Sequence, residues 1–161
     1  MLPTLLWMNE DEQTRALLAR MRQDMPALQG IGVDCLHLSQ DHVRLAAPLA
    51  RNQNDKQTAF AGSLTALGML CGWALTQRTA AGVDAAAQCA IFDVQTRFRQ
   101  PVRGDLMAEV RCEHPAIARL RADLQSGRKA RWTLDIQVGS NDCPDAVQLR
   151  AAYAAWLPDR S

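Results

Sequence analysis

With 161 residues and 48% apolar composition, the chain can form one domain with its own hydrophobic core and is too apolar for a disordered segment. Eighteen basic residues against seventeen acidic ones leave a formal charge of +1, which excludes nucleic-acid or membrane binding driven by bulk charge. Five cysteines, an odd number, lie mostly in apolar segments, as expected of reduced thiols in a cytoplasmic protein rather than a disulfide framework.

The opening stretch Met1 to Met8 is apolar but has no basic flank, so it is not expected to be a signal peptide. Asn9 and Glu12 have the spacing of a capping box, and Leu17, Leu18, Met21 and Met25 then recur at helical intervals. This predicts an amphipathic helix over 10–23, stopped by Pro26. Two short strands are expected over 31–38 and 42–48, joined by the polar turn Ser39-Gln-Asp41. In the second, Val43, Leu45 and Ala47 alternate with His42, Arg44 and Ala46.

A polar loop from Asn52 to Ser63 opens directly into Leu64 to Thr79, whose apolar side chains fall on every face. This predicts a long helix buried all round, at the short end for a bilayer span and interrupted by Thr65, Gly68 and Gly72. After Gly82, the run 89–100 reads as a strand with Ala90, Phe92, Val94, Thr96 and Phe98 on one face. Ile91, Asp93, Gln95, Arg97 and Arg99 take the other. Pro101 to Gly104 turns the chain into a strand beginning at Leu106. His114 to Ser126 reads either as a short helix, with Pro115 at its first position and Ile117, Leu120 and Leu124 as its stripe, or as an irregular strand end. Lys129 to Val138 alternates strictly, Gly139 to Asp145 is dense in turn residues, and a last strand covers 146–155. The sum is a single α+β domain over 1–161: a hairpin, a central helix and four strands in an antiparallel meander.

Three stretches of this chain resemble a known family. They are Pro48 to Ser63 (PLARNQNDKQTAFAGS), Gly72-Trp73, and Arg99 to Asp105 (RQPVRGD). Together they resemble the putative thioesterase domain at the C-terminus of YiiD proteins, and the likeness covers roughly residues 25–157, the expected core. It implies the hotdog fold, an antiparallel sheet wrapped around one long helix. It also implies action on an acyl thioester of coenzyme A or acyl carrier protein, no cofactor beyond the coenzyme A of the substrate, and assembly as a dimer or dimer of dimers. Against the phenylacetate-pathway type of hotdog thioesterase, Asn54 takes the place of the loop asparagine and Gln57 that of a glycine. Phe60 stands for a histidine, and Ala61 and Gly62 for a glycine pair. The acidic residue that those relatives carry within the central helix has no counterpart at Gly68 to Leu70.

Thioester hydrolysis needs a polarised carbonyl and an activated water. Backbone N–H groups of Phe60, Ala61 and Gly62 at the helix start are expected to hold the carbonyl oxygen. Asn54 is expected to orient the substrate, and Asp55, or failing it Asp93, to act as base. Asn52, Lys56, Thr58, Ser63, Trp73, Arg97, Arg99 and Arg103 are the expected substrate-binding residues, with Lys56 and the arginines as a basic rim for phosphates. Cys112-Glu-His114 has no second ligand pair, so no metal site is expected. A non-catalytic acyl-thioester-binding or assembly module is the alternative, favoured by the missing helix carboxylate.

Overall fold

A computed structural model describes residues 10–159. Helix α1, Glu10–Asp24, carries the ion pair Arg20–Asp24 one turn apart (3.3 Å). It buries Met21 and lays Leu17 and Leu18 on the core, and it ends before Pro26. The expected N-cap, Asn9, lies outside the described residues. A single helical turn, α2 (Leu28–Ile31), closes on Gly32 in the left-handed region at φ 72°. The first strand therefore starts later than its apolar run suggests, as β1 (Asp34–Leu38). Strand β2 (His42–Ala47) pairs with it and shows the expected alternation, with Val43, Leu45 and Ala47 buried.

Helix α3 spans Ala61–Ala81, and β3 (Gln88–Phe98), β4 (Leu106–Arg111), α4 (His114–Gln125), β5 (Ala130–Ser140) and β6 (Cys143–Trp156) follow. His114 to Gln125 is helical, with Ile117, Leu120 and Leu124 buried under it. The turn-rich stretch after Val138 is mostly strand: Ser140 pairs with Cys143, leaving Asn141-Asp142 as the turn.

The six strands form one antiparallel sheet in the order β1-β2-β4-β5-β6-β3. Only β4, β5 and β6 make the expected meander. Strand β3 emerges from α3 on the far edge and pairs with β6, so residues 99–105 cross the end of the sheet to reach β4. Seven residues at about 3.3 Å each reach the roughly 14 Å between those strands.

The faces of β3 also differ from the simple alternation. A bulge at Phe92 pairs Ile91 with Tyr153 but Asp93 with Ala152. Ile91 thus joins Val94, Thr96 and Phe98 on the inner face, while Asp93, Gln95 and Arg97 point outward. As an edge strand without further cover among the described residues, β3 leaves Phe92, Val94 and Phe98 59%, 37% and 53% exposed.

The sheet curls around α3, the hotdog arrangement. Contact is closest at two glycines. A Cβ at Gly68 would meet Leu149 and Val138, and one at Gly72 would meet Tyr153, 2.6 Å from its Cζ. The fully buried Tyr153 donates its hydroxyl to the carbonyl of Met69 at 2.6 Å. Trp132 Nε1 donates to Thr76 Oγ1, which in turn donates to the Gly72 carbonyl. Two polar groups that α3 carries into the core, the Met69 carbonyl and the Thr76 hydroxyl, are thus answered by the sheet.

The helix is not buried all round, however. Ala61 and Gly62 are exposed, and Thr65, Ala66, Met69 and Trp73 are half-buried along the same stripe. No helix among the described residues is long and apolar enough to cross a membrane.

At the opposite end of the sheet, His42 Nε2 lies 2.6 Å from a Glu109 carboxylate oxygen, with Arg111 also on that oxygen at 3.1 Å. The His37 ring sits 4.5 Å from His42. Burial, together with Arg111 and His37, outweighs Glu109 and holds the His42 imidazole below its ordinary 6.5. Burial also opposes the Glu109 carboxylate, but the hydrogen bond from His42 and the charges of His42, Arg44 and Arg111 hold its pKa below the usual range.

Two outcomes follow from this packing. Gly72→Ala gains helix propensity but forces a methyl into Tyr153, so a net loss of about 1–2 kcal/mol is expected in urea unfolding; an unchanged midpoint would show that Tyr153 has room to move. Because folding lowers the His42 pKa, the neutral ring favours the fold. That stability is complete above the unfolded value of 6.5 and declines as pH falls toward the folded value, with Glu109's share lost at still lower pH. The wild-type melting temperature should therefore drop between pH 7.5 and 5.5, and His42→Gln should flatten the slope. A rise over that interval would contradict the assignment.

Candidate functional site

The loop between β2 and α3 is built by its own asparagines. Asn52, 3% exposed, donates from Nδ2 to the carbonyls of Ile31 (2.9 Å) and Pro48 (2.8 Å), and its own carbonyl accepts the Phe60 N–H at 2.7 Å. Asn54 donates to Thr58 Oγ1 (2.9 Å) and to the Ala59 carbonyl (3.3 Å), while its side-chain oxygen accepts the N–H groups of Lys56 and Thr58. All the hydrogen-bonding capacity expected of an amide is used within the loop.

Between these anchors Gln57 adopts φ 60°. A non-glycine residue there costs about 1–2 kcal/mol. It is also the position at which the phenylacetate-type sequences carry glycine. Strain of this kind is retained where the surrounding structure over-determines it.

The loop delivers an open helix start. Phe60 is the N-cap, with no side-chain cap bond, and its own N–H is taken by Asn52. The free amides therefore begin one residue later than expected, at Ala61, Gly62 and Ser63. The Phe60 ring, 53% exposed, folds back over Gly62, and a Cβ at 62 would lie 2.8 Å from its Cζ. Only glycine lets the ring rest there.

From this mouth the half-buried stripe Thr65, Ala66, Met69 and Trp73 runs down α3 beside the inner face of β3, where Val94 and Phe98 are exposed. Leu149 touches the helix at Gly68 and is paired with Thr96; Tyr153 touches it at Gly72 and is paired with Ile91. That register sets Phe98 toward the mouth and Ile91 toward Trp73, leaving an apolar trough with a polar head.

The expected residues divide into four groups. Phe60, Ala61, Gly62 and Trp73 line the mouth or the trough, and Ser63 is buried in the first turn of α3. Asn52, Asn54 and the buried Thr58 hold the loop, and Asp55 projects from it, 78% exposed and ion-paired to Lys56 at 2.8 Å. Arg99 and Arg103 belong to the crossover, which is tied to the loop where the Val102 carbonyl accepts the Ala59 N–H at 2.8 Å.

Asp93 and Arg97 are not brought to the mouth of their own chain. The register places them on the outer sheet face, where Arg97 lines a pocket of about 570 Å³ with Glu109, Arg111, Asp135 and Arg150. No group of three or more His, Cys, Asp or Glu side chains able to hold a metal ion occurs among the described residues. Sequence reasoning passed over the inner-face residues Val94 and Phe98, and in the open stripe of α3 it named Trp73 but not Thr65, Ala66 or Met69. The small residues Gly62, Thr65 and Ala66 falling together were the available signal.

A helix wrapped by an antiparallel sheet, open at its N-terminal end onto an apolar trough, defines a hotdog-fold protein. The chain belongs to the family described as Putative thioesterase (yiiD_Cterm), whose model matches residues 14–156.

Solved structures agree in fold. A protein of unknown function from Chlorobaculum tepidum superposes with a TM-score of 0.86 at 23% identity, over 92% of this chain and 97% of that one. A "putative thioesterase" from Shewanella oneidensis matches at 0.77 and 23% identity, covering 92% and 99%. A "probable thioesterase" from Pseudomonas aeruginosa matches at 0.76 and 26%, covering 89% and 95%.

If Asn54 is the clamp that shapes this loop, Asn54→Ala should cost about 2 kcal/mol, the loss of several hydrogen bonds, most of them part-buried, while Asp55→Asn should leave the denaturation midpoint in place. Equal midpoints for wild type and Asn54→Ala would show that the loop holds its shape without the clamp.

Proposed function

We propose that the protein hydrolyses acyl thioesters of coenzyme A or acyl carrier protein. The observation that carries this reading is the uncapped helix start, open to solvent at Ala61 and Gly62, at the head of an apolar trough. A thioester carbonyl set there meets two or three unpartnered N–H groups and the positive end of a 21-residue helix. The acyl chain follows Met69 toward Trp73.

Asp55 is the base. It takes a proton from water as the water oxygen bonds to the carbonyl carbon; the C–S bond then breaks, and Asp55 returns that proton to the departing sulfur, which leaves as the free thiol. Lys56, Arg99 and Arg103 gather the anionic parts of the substrate.

A second copy of the chain completes the site. Strand β3 is an edge of 11 residues with Phe92, Val94 and Phe98 exposed, a surface that pairing with another β3 would cover. On this reading the reaction belongs in the cytoplasm, a reducing compartment that suits five free thiols.

The non-catalytic module remains the second reading, because Asp55 faces solvent in an ion pair and the stretch Gly68 to Leu70 contains no carboxylate. Purified protein assayed against acyl-CoAs of graded chain length with a free-thiol readout decides between them. Release by wild type, reduced about 100-fold or more in Asp55→Asn and retained in Asp93→Asn, is the expected result. Tight acyl-CoA binding with no thiol released from any substrate would leave the module. In sedimentation the wild type should be dimeric or larger, and Phe92→Asp with Phe98→Asp should shift it toward monomer.

A further inference from the structure

A second basic site lies next to the loop, and none of its side chains belongs to the rim discussed above. Arg22 from α1 and Arg51 from the 3-10 turn at Leu49–Arg51 line one shallow pocket of about 480 Å³, together with Leu28, Val33, Pro48 and Asp34. Each guanidinium is steered by a backbone carbonyl: Arg22 donates to Val33 at 3.3 Å and Arg51 to Gln29 at 3.4 Å. Each of these contacts uses one nitrogen of a five-donor fork and leaves the remainder of the fork for a ligand.

Gly32 sets the position of Arg51. At φ 72°, a Cβ there would stand 3.1 Å from both Cδ and Nη1 of Arg51, so the arginine stem lies across the bare glycine. The opposing charge is Asp34, whose carboxylate accepts the Cys35 N–H at 2.9 Å. Two cations against one committed carboxylate, with Leu28 and Pro48 as apolar walls, suit a phosphate-bearing group that also carries a flat apolar body.

The pocket and the helix mouth are joined by one residue. Arg51 precedes Asn52, whose carbonyl takes the Phe60 N–H at 2.7 Å, so the Cα atoms of Arg51 and Phe60 lie within about 10 Å. A long flexible arm can hold a thioester at the mouth while its far end rests between the two arginines.

We infer that the Arg22–Arg51 pocket binds the phosphorylated nucleotide end of coenzyme A. This inference rests on the thioester reading of the helix mouth and selects acyl-CoA over an acylated carrier protein, whose phosphopantetheine arm has no nucleotide.

Adenosine 3′,5′-bisphosphate titrated into the full chain by calorimetry tests the pocket without requiring hydrolysis. Binding by wild type, weakened about tenfold in Arg22→Ala/Arg51→Ala, is expected. In assays, KM for acyl-CoA should rise by a similar factor with kcat unchanged, while KM for the matching acyl-pantetheine should stay the same. No binding of the bisphosphate to wild type overturns the assignment whether or not the double variant folds. So does 4′-phosphopantetheine binding as tightly as coenzyme A, or an equal rise in KM for both thioesters. Nucleotide binding without hydrolysis of any thioester would remove the hydrolase reading and leave the pocket standing.

Discussion

The structure depends on how closely one helix approaches one strand. Gly68 and Gly72 remove two side chains from the face of α3, and Leu149 and Tyr153 of β6 fill the space. Glycine costs roughly 1 kcal/mol of helix propensity at each site, yet the exchange buries Tyr153 completely and lets its hydroxyl reach the Met69 carbonyl. That bond fixes the helix along its axis as well as in height. The position of the helix start relative to the end of the sheet is set there, although the contact lies two to three turns away from it.

From this anchor the loop and the crossover become intelligible. With β3 on the far edge, the segment from Phe98 to Leu106 must pass the end of the sheet, and it passes under the loop that leads into α3. The Val102 carbonyl and the Ala59 N–H join the two. Residues Asn52 to Ala59 are then held on three sides: by the crossover, by Ile31 and Pro48 through Asn52, and by their own turn through Asn54. An apolar N-cap is poor helix chemistry by local rules. Here tertiary contacts hold the chain entry in place of a capping side chain, and the first amides are left without a partner.

Much of this was legible in the sequence wherever a local rule governed it. Strands β2 and β5 alternate as read, because each is flanked on both sides by other strands and has one face packed on the core. The stripe Ile117, Leu120 and Leu124 marked a helix that the chain does form. Strand order was not legible, since no local pattern records which edge a strand joins. The bulge at Phe92 was hidden for a related reason. Phe92 and Val94 look like core residues in any period-two reading, and only the pairing of Asp93 with Ala152 reverses the outlook of what precedes it.

For the site, the resemblance drew attention to 52–63 because those residues are contiguous. It could not separate Asn54, enclosed by four hydrogen bonds, from Asp55, whose neighbour in space is solvent and Lys56.

The same strand that offers an edge also walls the trough. Val94 and Phe98 face the half-buried stripe of α3, and the unpaired backbone of β3 runs alongside them. A partner that takes the edge necessarily comes to lie beside the trough, so under the proposed pairing the wall opposite Met69 and Trp73 is completed by a second copy. Acyl binding and self-association are then linked equilibria: a ligand that prefers the roofed trough strengthens the dimer by the same free energy with which the dimer strengthens its binding. The arginine pocket lies on the other flank of the loop, among residues of α1, β1 and the 3-10 turn. Its affinity for a nucleotide should therefore be indifferent to protein concentration, whereas affinity for the acyl group should not. Pocket and trough are thus separable by that dependence, though they would serve two ends of one molecule.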